Sequence, residues 1–162
     1  LAYNNDLQGI VHVLSYGKNL PYNKFPDKII ITFGNITKDY QFFNVYIIAL
    51  VRGNLEMIKL LVKNGFDIKT VHNYNNSLCA VCNQGYLHLV EYLVDYGLDI
   101  SFNNYEPVMW ACQYGHLEIL KYLVKKIKEK YGDDALKIAL EIGLKEAREK
   151  NKLQVVEYLE SI

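Results

Sequence analysis

The sequence predicts an all-α chain, a solenoid of about five stacked helix-turn-helix units. Three observations lead there. A helical segment recurs along the chain, a shorter helix precedes its copies, and small residues stand on the packing side of that shorter helix. Self-similarity at a fixed period is the mark of a repeat array, in which no unit can bury its apolar face alone.

The recurring segment runs from Gly53 to Gly65, from Gly85 to Gly97 and from Gly115 to Ile127, aligned without gaps. Weaker copies, Asn5 to Gly17 and Asn151 to Ile162, flank these three. Counting from the leading Gly or Asn, Leu stands two positions on in every copy: Leu7, Leu55, Leu87, Leu117 and Leu153. Apolar residues follow at position five (Ile10, Ile58, Val90, Leu120, Val156) and at position eight (Val13, Leu61, Leu93, Leu123, Leu159). Spacing of this kind draws one apolar stripe on a helix. Position six carries charge in four copies, Lys59, Glu91, Lys121 and Glu157, and belongs on the wet side. Closing glycines such as Gly65 and Gly97 suit a left-handed helix stop, where a Cβ would be strained.

The preceding helices are expected over 45–52, 77–84 and 107–114, with Ala49, Cys82, Ala111 and Cys112 on their packing side. Small residues there let the two helices of a unit approach closely. Pro107 suits a first helical turn, where its missing N–H costs nothing. Leading residues recur 32, 30 and 36 positions apart, from 53 to 85 to 115 to 151. Between Lys18 and Phe43 the spacing stretches by about 16 residues, and residues 29–33 there read as a strand or a distorted helix. Gly132 is expected to break the fourth outer helix and Asp133 or Asp134 to cap a long helix over about 134–150.

The run Gly-His-Leu-Glu-Ile-Leu-Lys-Tyr-Leu-Val at 115–124, with Gly-Phe-Asp-Ile at 65–68 and Gly-Leu-Asp-Ile at 97–100, resembles the ankyrin repeat. The likeness is close over 44–127 and looser at both ends. The family's Thr-Pro-Leu-His opening is not kept, since Asn44-Val45-Tyr46-Ile47, Asn76-Ser77-Leu78-Cys79 and Glu106-Pro107-Val108-Met109 stand in its place. With sixteen Lys against two Arg and many Asn and Tyr, the chain is similar to arrays that very large DNA viruses encode. The organisation expected is a single array: a partial repeat at 1–17, a long connection at 18–43, repeats at 44–75, 76–105 and 106–131, and a capping repeat at 132–162. The last copy places Glu160 where inner copies have Val62, Val94 and Val124, and Arg148 where two have Cys82 and Cys112. Polar substitution of that kind suits a terminal repeat. At the other end, Leu1 inside a helix and apolar Leu14 predict a chain cut from a longer array, with an adhesive N-terminal face.

Composition narrows the function. A chain of 162 residues with 51% hydrophobic and 22% charged residues can bury roughly 70% of its unfolded surface and is too apolar for disorder. Eighteen basic residues balance eighteen acidic ones, so no overall field recruits nucleic acid or a membrane. No apolar run approaches the roughly 18 residues of a membrane span. The expectation is a cytoplasmic protein, in the host cytoplasm if viral, with three free thiols.

Chemistry is sparse. Cys79-x-x-Cys82 with Cys112-x-x-x-His116 could supply three thiolates and an imidazole to zinc, but Cys82 and Cys112 share one register, so packing is the preferred reading and no metal or other cofactor is expected. Cys82 with His12, His72, His88 or His116 lacks a nucleophile motif, and no Gly-rich phosphate loop appears. Tyr92, Tyr122 and Tyr158 read as packing residues, and Asp67 and Asp99 as turn formers. The sequons at Asn35 and Asn75 are expected to carry no sugar. Residues 73–114 hold four acids and no Lys or Arg, whereas 121–130 hold five Lys and one Glu. A solvated helix end explains that Lys cluster better than nucleic-acid contact does.

The resemblance implies a protein partner held on the concave face made by inter-repeat turns and first helices, with no catalysis and no small-molecule substrate. On that reading Val51, Arg52, Asn83, Gln84, Gln113 and Tyr114 face the groove, and His72, Tyr74, Phe102, Asn104 and Tyr105 line its rim. Arg52, Tyr74, Tyr105 and Tyr114 are the expected energetic anchors. The alternative is a structural or self-assembling component of a larger particle or filament.

Overall fold

The computed structural model describes residues 38–71 and 73–162, and no strand occurs among them. The expected repeat at 1–17, the segment 29–33, the N-terminal face and His72 lie outside the described residues. Seven α-helices are described: α1 (Lys38–Val51), α2 (Leu55–Lys63), α3 (Asn76–Gln84), α4 (Leu87–Tyr96), α5 (Phe102–Tyr114), α6 (Leu117–Glu149) and α7 (Leu153–Glu160). No helix among the described residues is long and apolar enough to cross a membrane. The chain divides after Val71 into two units.

In the first unit α1 pairs with α2. Helix α1 begins seven residues before the expected start at Val45, inside the stretch read as connection. Neither Gly nor Pro stands between Thr37 and Arg52 to stop it. Asn54 caps α2 by accepting the Met57 amide on its side chain at 3.0 Å. Beyond Gly65, the Asp67 carboxylate accepts the Lys69 amide at 2.9 Å and opens a 3₁₀ turn over Ile68–Thr70. That is the turn-forming role expected of it.

In the second unit α3 pairs with α4 and packs on α5, while α6 packs on α4 and α5 and pairs with α7. Helical hairpins thus stack side by side. Gly132, at φ +84° and ψ −175°, divides α6 into an outer helix and the long inner helix of the last hairpin. The break falls where the sequence placed it. Asn103, Asn104 and Tyr105 all take left-handed backbone, so the right-handed part of α5 starts at Glu106 with Pro107 in its first turn.

The buried stripe of the outer helices differs in one row from the expected one. Position five is buried at Ile58, Val90 and Leu120, and position eight at Leu61, Leu93, Leu123 and Leu159. Position four, occupied by Met57, Leu89, Ile119 and Val155, is equally buried. The recurrent Leu at position two is only half-buried, and Leu153 is 78% exposed. Lys59, Glu91, Lys121 and Glu157 are exposed, as their charge requires. Ala49, Cys82, Ala111 and Cys112 are fully buried on the inner helices.

Each hairpin turns at its leading residue. Gly53, Gly85, Gly115 and Asn151 all have positive φ, and Asn is the residue that best replaces Gly there. The following amide closes each helix end by returning five residues: Asn54 to the Ala49 carbonyl, Tyr86 to Val81, His116 to Ala111, and Lys152 to Ala147, at 2.8 to 3.1 Å. This is the C-terminal hydrogen-bond closure that lets the chain reverse with its carbonyls satisfied.

The last hairpin carries charge at two positions that are apolar in inner copies. Arg148 Nη2 meets Glu160 Oε1 at 2.6 Å. Leu136, Leu140, Leu144, Leu159 and Ile162 line a groove of about 370 Å³ together with Lys128, Asp133, Lys137 and Glu141, and Ile162 is 58% exposed.

Candidate protein-binding groove

Successive inner helices hold a second groove, also about 370 Å³, between α3 and α5. Its α3 wall is Asn76, Cys79, Ala80, Asn83 and Gln84, and its α5 wall is Glu106 and Trp110. The first set follows i, i+3, i+4, i+7, i+8 spacing, so one face of α3 looks into the groove. Leu78, Val81 and Cys82 on the opposite face are fully buried. The pair on α5 is spaced i, i+4, and Tyr114 continues that row, 47% exposed, with its ring 5.9 Å from Trp110.

The Glu106 carboxylate is held from two sides. Asn103 Nδ2 donates to Oε2 at 2.8 Å, and Trp110 Nε1 donates to Oε1 at 3.0 Å. The left-handed turn at 103–105 places the Asn103 amide one turn ahead of the carboxylate it binds. Below lies Cys79, whose thiol is pushed up to about 12 by burial and by the charge of Glu106. It is a neutral floor.

Two contacts fix neighbouring turns. His116 Nε2 donates to the Asn83 carbonyl at 2.8 Å, and its ring lies over Gly85, where an added Cβ would meet ring atoms at 2.6 Å. The Asp99 amide donates to Asn75 Oδ1 at 3.0 Å. Asp99 in turn accepts the Ser101 amide and hydroxyl and the Tyr131 hydroxyl, at 2.7 to 3.0 Å. Burial opposes its ionisation, but these hydrogen bonds, with Lys130 nearby, hold its carboxyl below the usual range. Asp99 is a turn former, as its sequence position suggested, and also joins three segments of the chain.

The sequence-named residues are distributed as follows. Asn83 and Gln84 line the groove. Gln113 is half-buried next to exposed Tyr114 on α5. Tyr74 and Phe102 are half-buried and Asn104 is exposed. Tyr105, expected on the rim, is only 9% exposed; burial of its ring in the fold accompanies a left-handed backbone at φ +61°. Val51 and Arg52 are exposed at the end of α1 in the first unit. Sequence reasoning missed Asn76, Cys79, Ala80, Glu106 and Trp110 as lining residues. The periodic spacing from Asn76 and the Glu-to-Trp step of four were the signals available.

Among the described residues, no group of three His, Cys, Asp or Glu is placed to hold a metal ion. Burial pushes the Cys112 thiol up to about 12, with Glu146 adding to the effect, and raises Cys82 well above its ordinary value. All three thiols are buried and protonated. A thiol reagent at pH 8 is therefore expected to leave them unmodified in the folded chain and to titrate all three in denaturant. Rapid stoichiometric labelling of the native chain would contradict this placement.

A family model described as ankyrin repeats (3 copies) matches residues 45–134 and again 77–159. The chain belongs to the ankyrin-repeat family. Its relatives include the ankyrin repeat protein L112 of Acanthamoeba polyphaga mimivirus, 29% identical over 67% of this chain and 22% of that protein. The mimivirus ankyrin repeat protein L66 is 33% identical over 47% of this chain and 12% of its own length. Palmitoyltransferase AKR1 of Lachancea kluyveri is 30% identical over 49% of this chain and 12% of the yeast protein. This ankyrin array thus spans about a fifth or less of the curated relatives it matches. In ankyrin terms α3 and α5 are the first helices of consecutive repeats, and the groove lies between them.

Proposed function

We propose that this chain is a protein-binding module without catalysis of its own, which engages a partner along the face formed by α3, α5 and their preceding turns. The observation that carries the reading is the groove between those helices, open to solvent and lined by amides, an indole and one carboxylate. Ankyrin-repeat membership supports it. Contacts are assigned to Tyr74, Asn83, Gln84, Phe102, Asn104, Gln113 and Tyr114. Tyr105 is assigned to the fold. The three thiols offer no activated nucleophile. The mimivirus relatives support a viral origin, and action in the host cytoplasm is part of the same proposal.

A photo-crosslinking residue at Gln84 or Gln113 is expected to capture the partner, whereas one at Lys121 on an outer helix is not. Alanine at Tyr74, Gln84 and Tyr114 together should weaken the captured complex by at least about thirtyfold, since a buried anchor is worth roughly 2 kcal/mol. Equal capture from both faces, or undiminished affinity, would refute the assignment.

Self-assembly is a second reading, favoured by the groove of the last hairpin, where leucines lie among charged residues of both signs. Sedimentation that depends on concentration and responds to Leu140→Glu would support it.

A further inference from the structure

We propose that the groove between α3 and α5 takes an extended, arginine-bearing segment of the partner protein, its guanidinium seated against Glu106 and Trp110. The inference rests on the partner-binding reading and specifies the chemistry of what is bound.

Four observations lead to it. A carboxylate offers about four acceptor sites, and the two donors on Glu106, one on each oxygen, leave capacity for more. Those donors are neutral and fix the carboxylate in place without neutralising it. No described Lys, Arg or His forms an ion pair with Glu106. No Lys or Arg occurs anywhere from 73 to 114, so α3, α4 and α5 supply no cation.

The remaining lining groups are amides, a methyl and a thiol, which leaves the groove with one formal negative charge. An acidic ligand would be repelled. A cation compensates the charge and can also lie on the indole, an attraction worth about 0.5–2 kcal/mol as water is excluded. Guanidinium suits this better than ammonium, because it is less strongly hydrated, planar, and able to fork onto a carboxylate. The side-chain amides of Asn76, Asn83 and Gln84 meanwhile offer donors and acceptors to a peptide backbone passing along α3.

The chain has a single tryptophan, so indole emission reports on this groove alone. The test selects randomised displayed peptides against the intact chain. The inference requires that the selected peptides carry arginine and shift Trp110 emission. It requires also that they bind at least about tenfold more weakly when citrulline replaces that arginine, or when the chain carries Glu106→Gln. The citrulline arm leaves the protein untouched, so a misfolded E106Q variant cannot decide the result. Peptides that shift Trp110 emission but lack arginine, or tolerate citrulline, overturn the inference and leave the partner-binding reading standing. Peptides that bind without touching Trp110, or an absence of binders, remove both.

Discussion

Valine at position 143 is expected to destabilise the chain by about 3 kcal/mol, at the upper end of what overpacking a core usually costs. Gly143 is a buried helical residue on the inner part of α6, facing α5. A Cβ there would meet Cys112 Sγ at 2.8 Å, Val108 Cγ1 at 3.4 Å and Leu159 Cδ1 at 3.6 Å. Alanine at the same site brings the sulfur clash but recovers about 1 kcal/mol of helix propensity, so it should fall near neutral. The order glycine, alanine, valine therefore separates packing from propensity. Cys112→Ala shrinks the obstructing side chain. In a double-mutant cycle read by urea midpoints, it should relieve at least about 1 kcal/mol of the valine cost. Strict additivity would mean that the two inner helices are farther apart than described.

The second large effect is expected at Gly85. Its φ of +83° costs a residue with a Cβ about 1–2 kcal/mol, and the added atom would enter the His116 ring at 2.6 Å. Gly85→Ala should thus lose about 3 kcal/mol once the clash is included. Asparagine, which tolerates this backbone, removes the conformational part but not the clash. Gly115 provides the control, because the nearest atom to an added Cβ is Lys152 Cδ at 3.2 Å, part of a flexible side chain. Gly115→Asn should accordingly melt closer to the parent than Gly85→Asn. Equal losses at both sites would show that the His116 ring moves freely aside.

The sequence was most informative where a physical constraint repeats. Ile58, Val90 and Leu120, and below them Leu61, Leu93 and Leu123, occupy the same register in successive copies, and burial follows it directly. Position four was less visible because the first copy has Gly9 where Met57, Leu89, Ile119 and Val155 stand. The early start of α1 was hidden by the expectation that all first helices match in length. The backbone at 103–105 could not be read at all: Asn accepts left-handed dihedrals in isolation, but a run that includes Tyr105 depends on the ring being drawn inward by the fold. For the same reason Tyr105 looked like a rim residue. Asn83 and Gln84 were recognised as groove residues because they directly precede a leading glycine. Glu106 and Trp110 were not, although their step of four along α5 was there to read; only the second donor, from Asn103 in its left-handed turn, was out of reach.

The His116 ring over Gly85 and the Lys152 stem over Gly115 bear on how such a protein can grow. In the second unit two successive hairpins each bring a lid for the turn before them. A duplication or deletion that spans one whole period keeps every lid matched to a turn, while one that cuts within a period separates them. Lengthening in complete modules is thus the route this architecture tolerates, with the side chain after the turn residue able to differ, an imidazole at 116 and a lysine stem at 152.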